Sequence, residues 1–240
     1  MKRRLTFDAT VDARPQWSPS GREITFHSFR RGTYDIFRQP ADGTGEAELL
    51  LGNEAPKRPY GWSRDGNYLV YTEQVEGQRD IWYLKRKGNG EGFESFRFLA
   101  TPFNEDGPRL SPDGRFLAYC SDAPGEYEVY VRPFPSGDGQ WQVSTNGGCQ
   151  LRWSPDGKEL FYVEGDTLTA VDATTSPNFA AVSTTPLFSD PDLSGSGTYY
   201  DVSADGRFVM TDSVEGAGAE PPSIHVVQNW YEEFRAREQD

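Results

Sequence analysis

The feature that most limits what this chain can become is one five-residue phrase written five times. Trp17-Ser18-Pro19-Ser20-Gly21 recurs as Trp62-Ser63-Arg64-Asp65-Gly66, as Leu110-Ser111-Pro112-Asp113-Gly114 and as Trp153-Ser154-Pro155-Asp156-Gly157. An altered copy stands at Val202-Ser203-Ala204-Asp205-Gly206. The glycines recur every 43–49 residues. A period of that length marks a supersecondary unit that buries its apolar face against the next copy of itself.

Inside each unit the chemistry is that of a turn between two strands. Proline presets φ, and glycine accepts the positive φ that other residues resist. Three residues past each glycine stand Ile24, Leu69, Leu117, Leu160 and Val209, and five past stand Phe26, Tyr71, Tyr119, Tyr162 and Thr211. Apolar residues two apart predict a half-buried strand. A third strand begins 14 residues past the glycine at Asp35-Ile36-Phe37, Asp80-Ile81-Trp82 and Glu128-Val129-Tyr130. It is shortened in the fourth unit to Leu168-Thr169-Ala170-Val171, and in the fifth a Gly/Ala/Pro-rich insertion at 216–222 delays it to Ile224-His225-Val226-Val227. A fourth is readable at Glu48-Leu49-Leu50-Leu51, Phe96-Arg97-Phe98-Leu99, Trp141-Gln142-Val143 and Pro186-Leu187-Phe188.

Four short strands per unit are the arithmetic of a propeller blade. The expected fold is all-β: a single-domain β-propeller of five four-stranded blades at 12–52, 57–101, 106–146, 150–190 and 198–229, with a short C-terminal helix at 230–237. The fifth unit has no fourth strand of its own. Arg3-Arg4-Leu5-Thr6-Phe7 occupies that place in the repeat, so residues 2–7 are expected to pair with the last blade and close the ring. The alternative is an arc whose first strand belongs to blades upstream.

Composition narrows the function. Aromatic residues make up 14% of the 240, against the aromatic-poor habit of disordered chains. A formal charge of −13 excludes nucleic acid and anionic membrane as main partners. No apolar stretch approaches the roughly 18 residues of a membrane span. Met1-Lys2-Arg3-Arg4 is followed by Leu5-Thr6-Phe7-Asp8, which is no apolar signal core, so a cytoplasmic protein is expected unless an upstream segment carried an export signal. The two cysteines, Cys120 and Cys149, form no CxxC pair and are expected as thiols on which the fold does not depend.

The repeated Trp-Ser-Pro-Asp-Gly turn, its aliphatic strand and the Asp-Ile-Trp strand resemble the TolB-like propeller repeat over nearly the whole chain. The ending, with Asn229-Trp230-Tyr231-Glu232-Glu233, also resembles the C-terminus of bacterial Ser/Thr protein kinases that carry such a propeller as a sensor or scaffold. The kinase motifs themselves are absent: there is no Gly-rich loop, no His-Arg-Asp and no Asp-Phe-Gly. TolB-like propellers usually have six or more blades, whereas five units are countable here. The resemblance implies a non-catalytic module that binds a protein or peptide.

Catalytic signals are sparse. His27 and His225 are the only histidines, each at a variable strand position, and no Gly-x-Ser-x-Gly elbow occurs. Two histidines assemble no zinc centre, so neither metal nor cofactor is expected. Asp65, Asp113, Asp156 and Asp205 repeat as a turn residue does, and Trp17, Trp62 and Trp153 as packing does. Just before the tryptophan position stand Gln16, Gly61, Arg109, Arg152 and Asp201, with Arg14, Arg58, Glu105, Asp106, Gln150 and Tyr199 slightly upstream. Innermost strands line a propeller's channel. Arg14, Arg58, Arg109 and Arg152 are therefore expected at one mouth, with Asp201 beside them, as a site for an anionic group such as a peptide carboxylate. Pairing of each arginine with a neighbouring carboxylate is the competing reading. Two alternatives differ in class: a remnant of a longer sensor kinase, and a carboxylate lyase or glycosidase using Glu105, Asp106 and Asp201.

Overall fold

A computed structural model describes residues 2–194, 200–203, 205–210 and 225–227. After β1 (Lys2–Arg4), the first four-stranded sheet is β2 (Asp12–Trp17), β3 (Glu23–Ser28), β4 (Asp35–Pro40) and β5 (Glu48–Leu51). The second is β6 (Lys57–Trp62), β7 (Tyr68–Val75), β8 (Gln78–Arg86) and β9 (Phe93–Leu99). The third is β10 (Glu105–Leu110), β11 (Phe116–Ser121), β12 (Glu128–Pro133) and β13 (Trp141–Gln142). The fourth is β14 (Cys149–Trp153), β15 (Glu159–Glu164), β16 (Thr167–Thr174) and β17 (Ala180–Ser189). A 3-10 turn at Pro191–Ser194 precedes a two-stranded sheet of β18 (Tyr200–Val202) and β19 (Phe208–Met210). The strand β20 (His225–Val227) pairs antiparallel with β1, Arg3 opposite Val226.

The molecule is thus nearly all-β, built from four-stranded sheets in chain order, as the repeat predicts for a β-propeller. The N-terminal segment pairs with β20 over Lys2–Arg4 in a two-stranded sheet separate from that of β18 and β19, and the expected helix at 230–237 and the insertion at 216–222 lie outside the described residues. The chain divides into two compact units, Met1–Pro59 with Gly218–Asp240, and Tyr60–Ala217.

The repeated turn is one hydrogen-bond cage in five copies. In each, the glycine N–H closes on the serine carbonyl, at 2.8–2.9 Å, with the glycine at φ between 66° and 82°. The serine hydroxyl donates to the turn aspartate, as Ser154 does to Asp156 at 2.8 Å, and accepts from the N–H that opens the next strand, as from Glu159 at 2.9 Å. The first copy replaces the aspartate with Ser20, whose hydroxyl lies 3.1 Å from that of Ser18. The fifth closes one residue early, on Arg207. Hydrogen bonds from Ser63 and Asn67 hold Asp65 below the usual carboxylate range, and those from Ser203 and Arg207 bring Asp205 down to about 2. Their support is complete above the ordinary carboxylate value and drains as pH falls through the lowered ones.

The second strands depart from the half-buried expectation. Val70, Ala118 and Phe161, between the foreseen apolar positions, are themselves buried, and the third and fourth sheets are packed on both faces. Val70, Ile81, Leu117, Tyr119 and Phe134 form one cluster spanning the second and third sheets. Ala118, Val129, Leu151, Leu160 and Phe179 form the next, and Phe161, Leu168, Leu193 and Tyr200 the last. In the other unit Leu5 packs with Ile24, Phe26 and Phe37. Each such side chain contributes about 1.5–3 kcal/mol by leaving water. Of the tryptophans read as packing, Trp153 is buried but Trp17 is 47% exposed. The fourth strand of the fourth unit runs over ten residues, well beyond the three foreseen, and is exposed throughout.

Ser154→Ala removes a donor and an acceptor from a buried cage. Chemical denaturation should show a loss of about 1–2 kcal/mol with an unchanged m-value.

Candidate anion-binding site

The innermost strands are not regular. Register shifts fall between Ala13 and Gln16, Asp106 and Arg109, and Cys149 and Arg152. Each contains a residue in the left-handed region: Arg14 at φ 54°, Gly107 at 63° and Gln150 at 57°. Bulges re-aim the side chains that follow them. Here those are Gln16, Arg109 and Arg152, the positions that the repeat placed on the channel-lining strand.

In Tyr60–Ala217 this brings four side chains into a row. The Arg109 guanidinium lies 5.6 Å from the ring centre of Tyr60, and that of Arg152 lies 5.6 Å from Tyr200. The carbonyl of Leu151 joins the arginines, accepting from Arg109 Nε at 3.2 Å and from Arg152 Nη1 at 2.7 Å. Asp201 accepts from Arg152 Nε at 2.9 Å, yet its side chain is 75% exposed where that of Arg152 is 11%. Arg109 makes no ion pair with a carboxylate of the described residues. Burial, and then the charge of Arg152, pull the Arg109 pKa down to about 9, with Asp201 opposing. A guanidinium still holds its proton at neutral pH. The result is two cations side by side, one of them paired with an exposed carboxylate, flanked by two aromatic faces.

Of the four arginines expected together, Arg109 and Arg152 are joined in this way with Asp201. Arg14 and Arg58 belong to the other unit, where both act electrostatically on His27. His27 is buried, stacks on Tyr34 at 4.6 Å and contacts the Lys57 carbonyl through Nδ1 at 3.1 Å. Its burial, reinforced by the two arginine charges, lowers its pKa to about 4 and keeps it neutral. The carboxylates considered for catalysis have structural duties. Glu105 is buried and accepts from the Thr101 hydroxyl, and Asp106 is held by Tyr60, Arg79 and the Gly107 N–H. Among the described residues no three His, Cys, Asp or Glu side chains gather as a metal site.

Tyr60 and Tyr200 were not singled out from the sequence. Both stand six residues before their repeat glycine, as Leu151 does, so the register itself carried the signal. The two cysteines correct a second expectation: Cys120 and Cys149 are joined as a disulfide, their Cα atoms 5.4 Å apart, across the third and fourth sheets. Closing that loop stabilises the chain by about 3–4 kcal/mol on the chain-entropy view.

No family model matches the chain. An uncharacterized protein of Agrobacterium fabrum is 27% identical over 162 residues, which cover 61% of this chain and 53% of that protein. A putative TolB from Agrobacterium tumefaciens superposes with a TM-score of 0.58 at 20% identity, over 70% of this chain and 63% of that one. TolB from Acinetobacter baumannii gives 0.61 at 19%, over 77% and 45%. The chain shares the fold of TolB-like β-propellers. A puromycin-hydrolyzing peptidase of Mycobacterium tuberculosis also superposes, with a TM-score of 0.55 at 16% identity over 68% of this chain and 30% of that one, so the TolB-like fold alone does not separate binding proteins from peptidases. The chain thus spans about half to two thirds of its TolB-like relatives. The likeness of its C-terminus to sensor kinases gains no support from them.

Because Asp201 competes for the face of Arg152 that an anion would use, Asp201→Asn should tighten binding of a small carboxylate roughly two- to fivefold. Isothermal calorimetry at low salt checks this.

Proposed function

We propose that this chain is a non-catalytic β-propeller module that binds a protein or peptide, and that Arg109 and Arg152 receive an anionic group of the partner, foremost a terminal carboxylate. The single observation behind this reading is the arginine pair held by the Leu151 carbonyl, with Arg109 in no ion pair among the described residues and the exposed Asp201 beside Arg152. Two guanidiniums that meet on one carbonyl can each donate to one carboxylate, while Tyr60 and Tyr200 offer faces to the residues that precede it. The likeness in fold to TolB agrees with a binding role.

In this reading the units are blades, five in number, and β1 completes the last of them. The antiparallel pairing of β1 with β20 supports that closure. The disulfide favours an oxidising compartment over the cytoplasm expected from the N-terminal sequence, since thiols stay reduced in the cytosol.

N-acetyl-tetraalanine with a free carboxylate, titrated at low salt, should raise the melting temperature, and its C-terminal amide should not. The shift should vanish in Arg109→Ala and shrink with added salt. Equal shifts from acid and amide, or none from the acid, would overturn the reading.

A further inference from the structure

The Cys120–Cys149 disulfide lies at the foot of the arginine pair. Cys120, on β11, faces Asp106 across the ladder, and Asp106 opens the bulge of β10 that ends at Arg109. Cys149 opens the bulge of β14 that ends at Arg152. Between Cys149 and Arg152 lie only Gln150, at φ 57°, and Leu151, whose carbonyl takes both guanidiniums. Gly107 packs against both sulfurs: a Cβ there would stand 3.5 Å from Cys120 Sγ and 3.6 Å from Cys149 Sγ. One covalent bond therefore ties the bulged segment of β14 to the strand β11, which pairs with the bulged segment of β10. With only two cysteines in the chain, it is the sole disulfide the chain can form within itself.

We propose that this disulfide is a redox control on the anion site: oxidised, it holds Arg109 and Arg152 on one carbonyl, and reduced, it lets the two bulges part and the site disperse. The inference rests on the arginine pair being an anion site. Cys120 and Cys149 are positioning residues and touch no ligand. Cys120 is fully buried whereas Cys149 is half-buried, so a thiol reductant reaches Cys149 first. Its thiolate attacks the Cys149 sulfur and forms a mixed disulfide, and Cys120 leaves as a thiolate that takes up a proton. A second thiol then releases Cys149 as a thiol, so the two electrons come from two reductant thiols that end as their own disulfide. The cage turns, the sheet ladders and the apolar clusters do not involve the sulfurs, so the fold has other support when the bond opens.

The test compares the full chain, oxidised and after dithiothreitol, for the thermal shift given by N-acetyl-tetraalanine carboxylate, with Cys120→Ser/Cys149→Ser as a permanently open variant. Near-ultraviolet circular dichroism at 15 °C reports whether each form is folded. The expected result is a folded reduced chain whose affinity for the probe is at least fivefold weaker, matched by the double variant and restored by reoxidation of the wild type only. Equal affinity in both redox forms overturns the redox control while leaving the anion site standing. No shift in the oxidised chain overturns the site, and the control with it. A reduced chain and double variant without tertiary signal at 15 °C also overturn the control, because the bond would then be a folding staple.

Discussion

Everything above the level of a single strand depends on the Ser-x-Asp-Gly cage. A serine hydroxyl that both donates to a carboxylate and accepts from the first N–H of the next strand permits one register between the first and second strands. A slip of one residue would exchange the faces of the second strand, whose residues fill the contacts with the sheets on either side. By fixing that register in every unit, the cage also fixes which residues occupy each step of the innermost strand. Position along the repeat becomes position in space, and the Tyr60–Arg109–Arg152–Tyr200 row consists of residues five or six places before their glycine.

That row is where the chain departs from its own pattern. The turn aspartates each find a serine partner, and other arginines meet a carboxylate close by, as Arg30 does with Asp12 and Arg207 with Asp205. Arg109 and Arg152 instead share a neutral carbonyl, and their mutual repulsion is opposed by Asp201, a carboxylate that water reaches easily. Two cations kept together in a chain of charge −13 are the feature on which the proposed anion site rests. A bound anion would neutralise the repulsion and replace the water lost to burial. The bulges at Asp106/Arg109 and Cys149/Arg152 set the aim, and the disulfide ties the second bulge to the strand paired with the first.

The sheets were legible in the sequence because turn chemistry and alternation are local and were repeated five times. The burial of both faces of the second strand was not, since alternation cannot report a second sheet stacked on the face it leaves unmarked: Ala118 stands between Leu117 and Tyr119 yet is buried against the fourth sheet. The arginine pair was legible through registration, but its joining through the Leu151 carbonyl depends on contacts between two sheets that spacing alone does not encode. The disulfide was hidden for the same reason, because its cysteines are 29 residues apart in different repeats. The C-terminal helix falls on residues the structure does not describe.

The claim that matters most is that arginines from two different sheets act as one site. A double-mutant cycle on Arg109→Ala and Arg152→Ala, read as calorimetric affinity for N-acetyl-tetraalanine carboxylate in the oxidised chain, addresses it directly. Residues that grip one carboxylate through a shared carbonyl should show a coupling of about 1 kcal/mol or more, each single variant losing most of the affinity and the double losing little further. Losses that simply add would mean two independent cations and would contradict a common site.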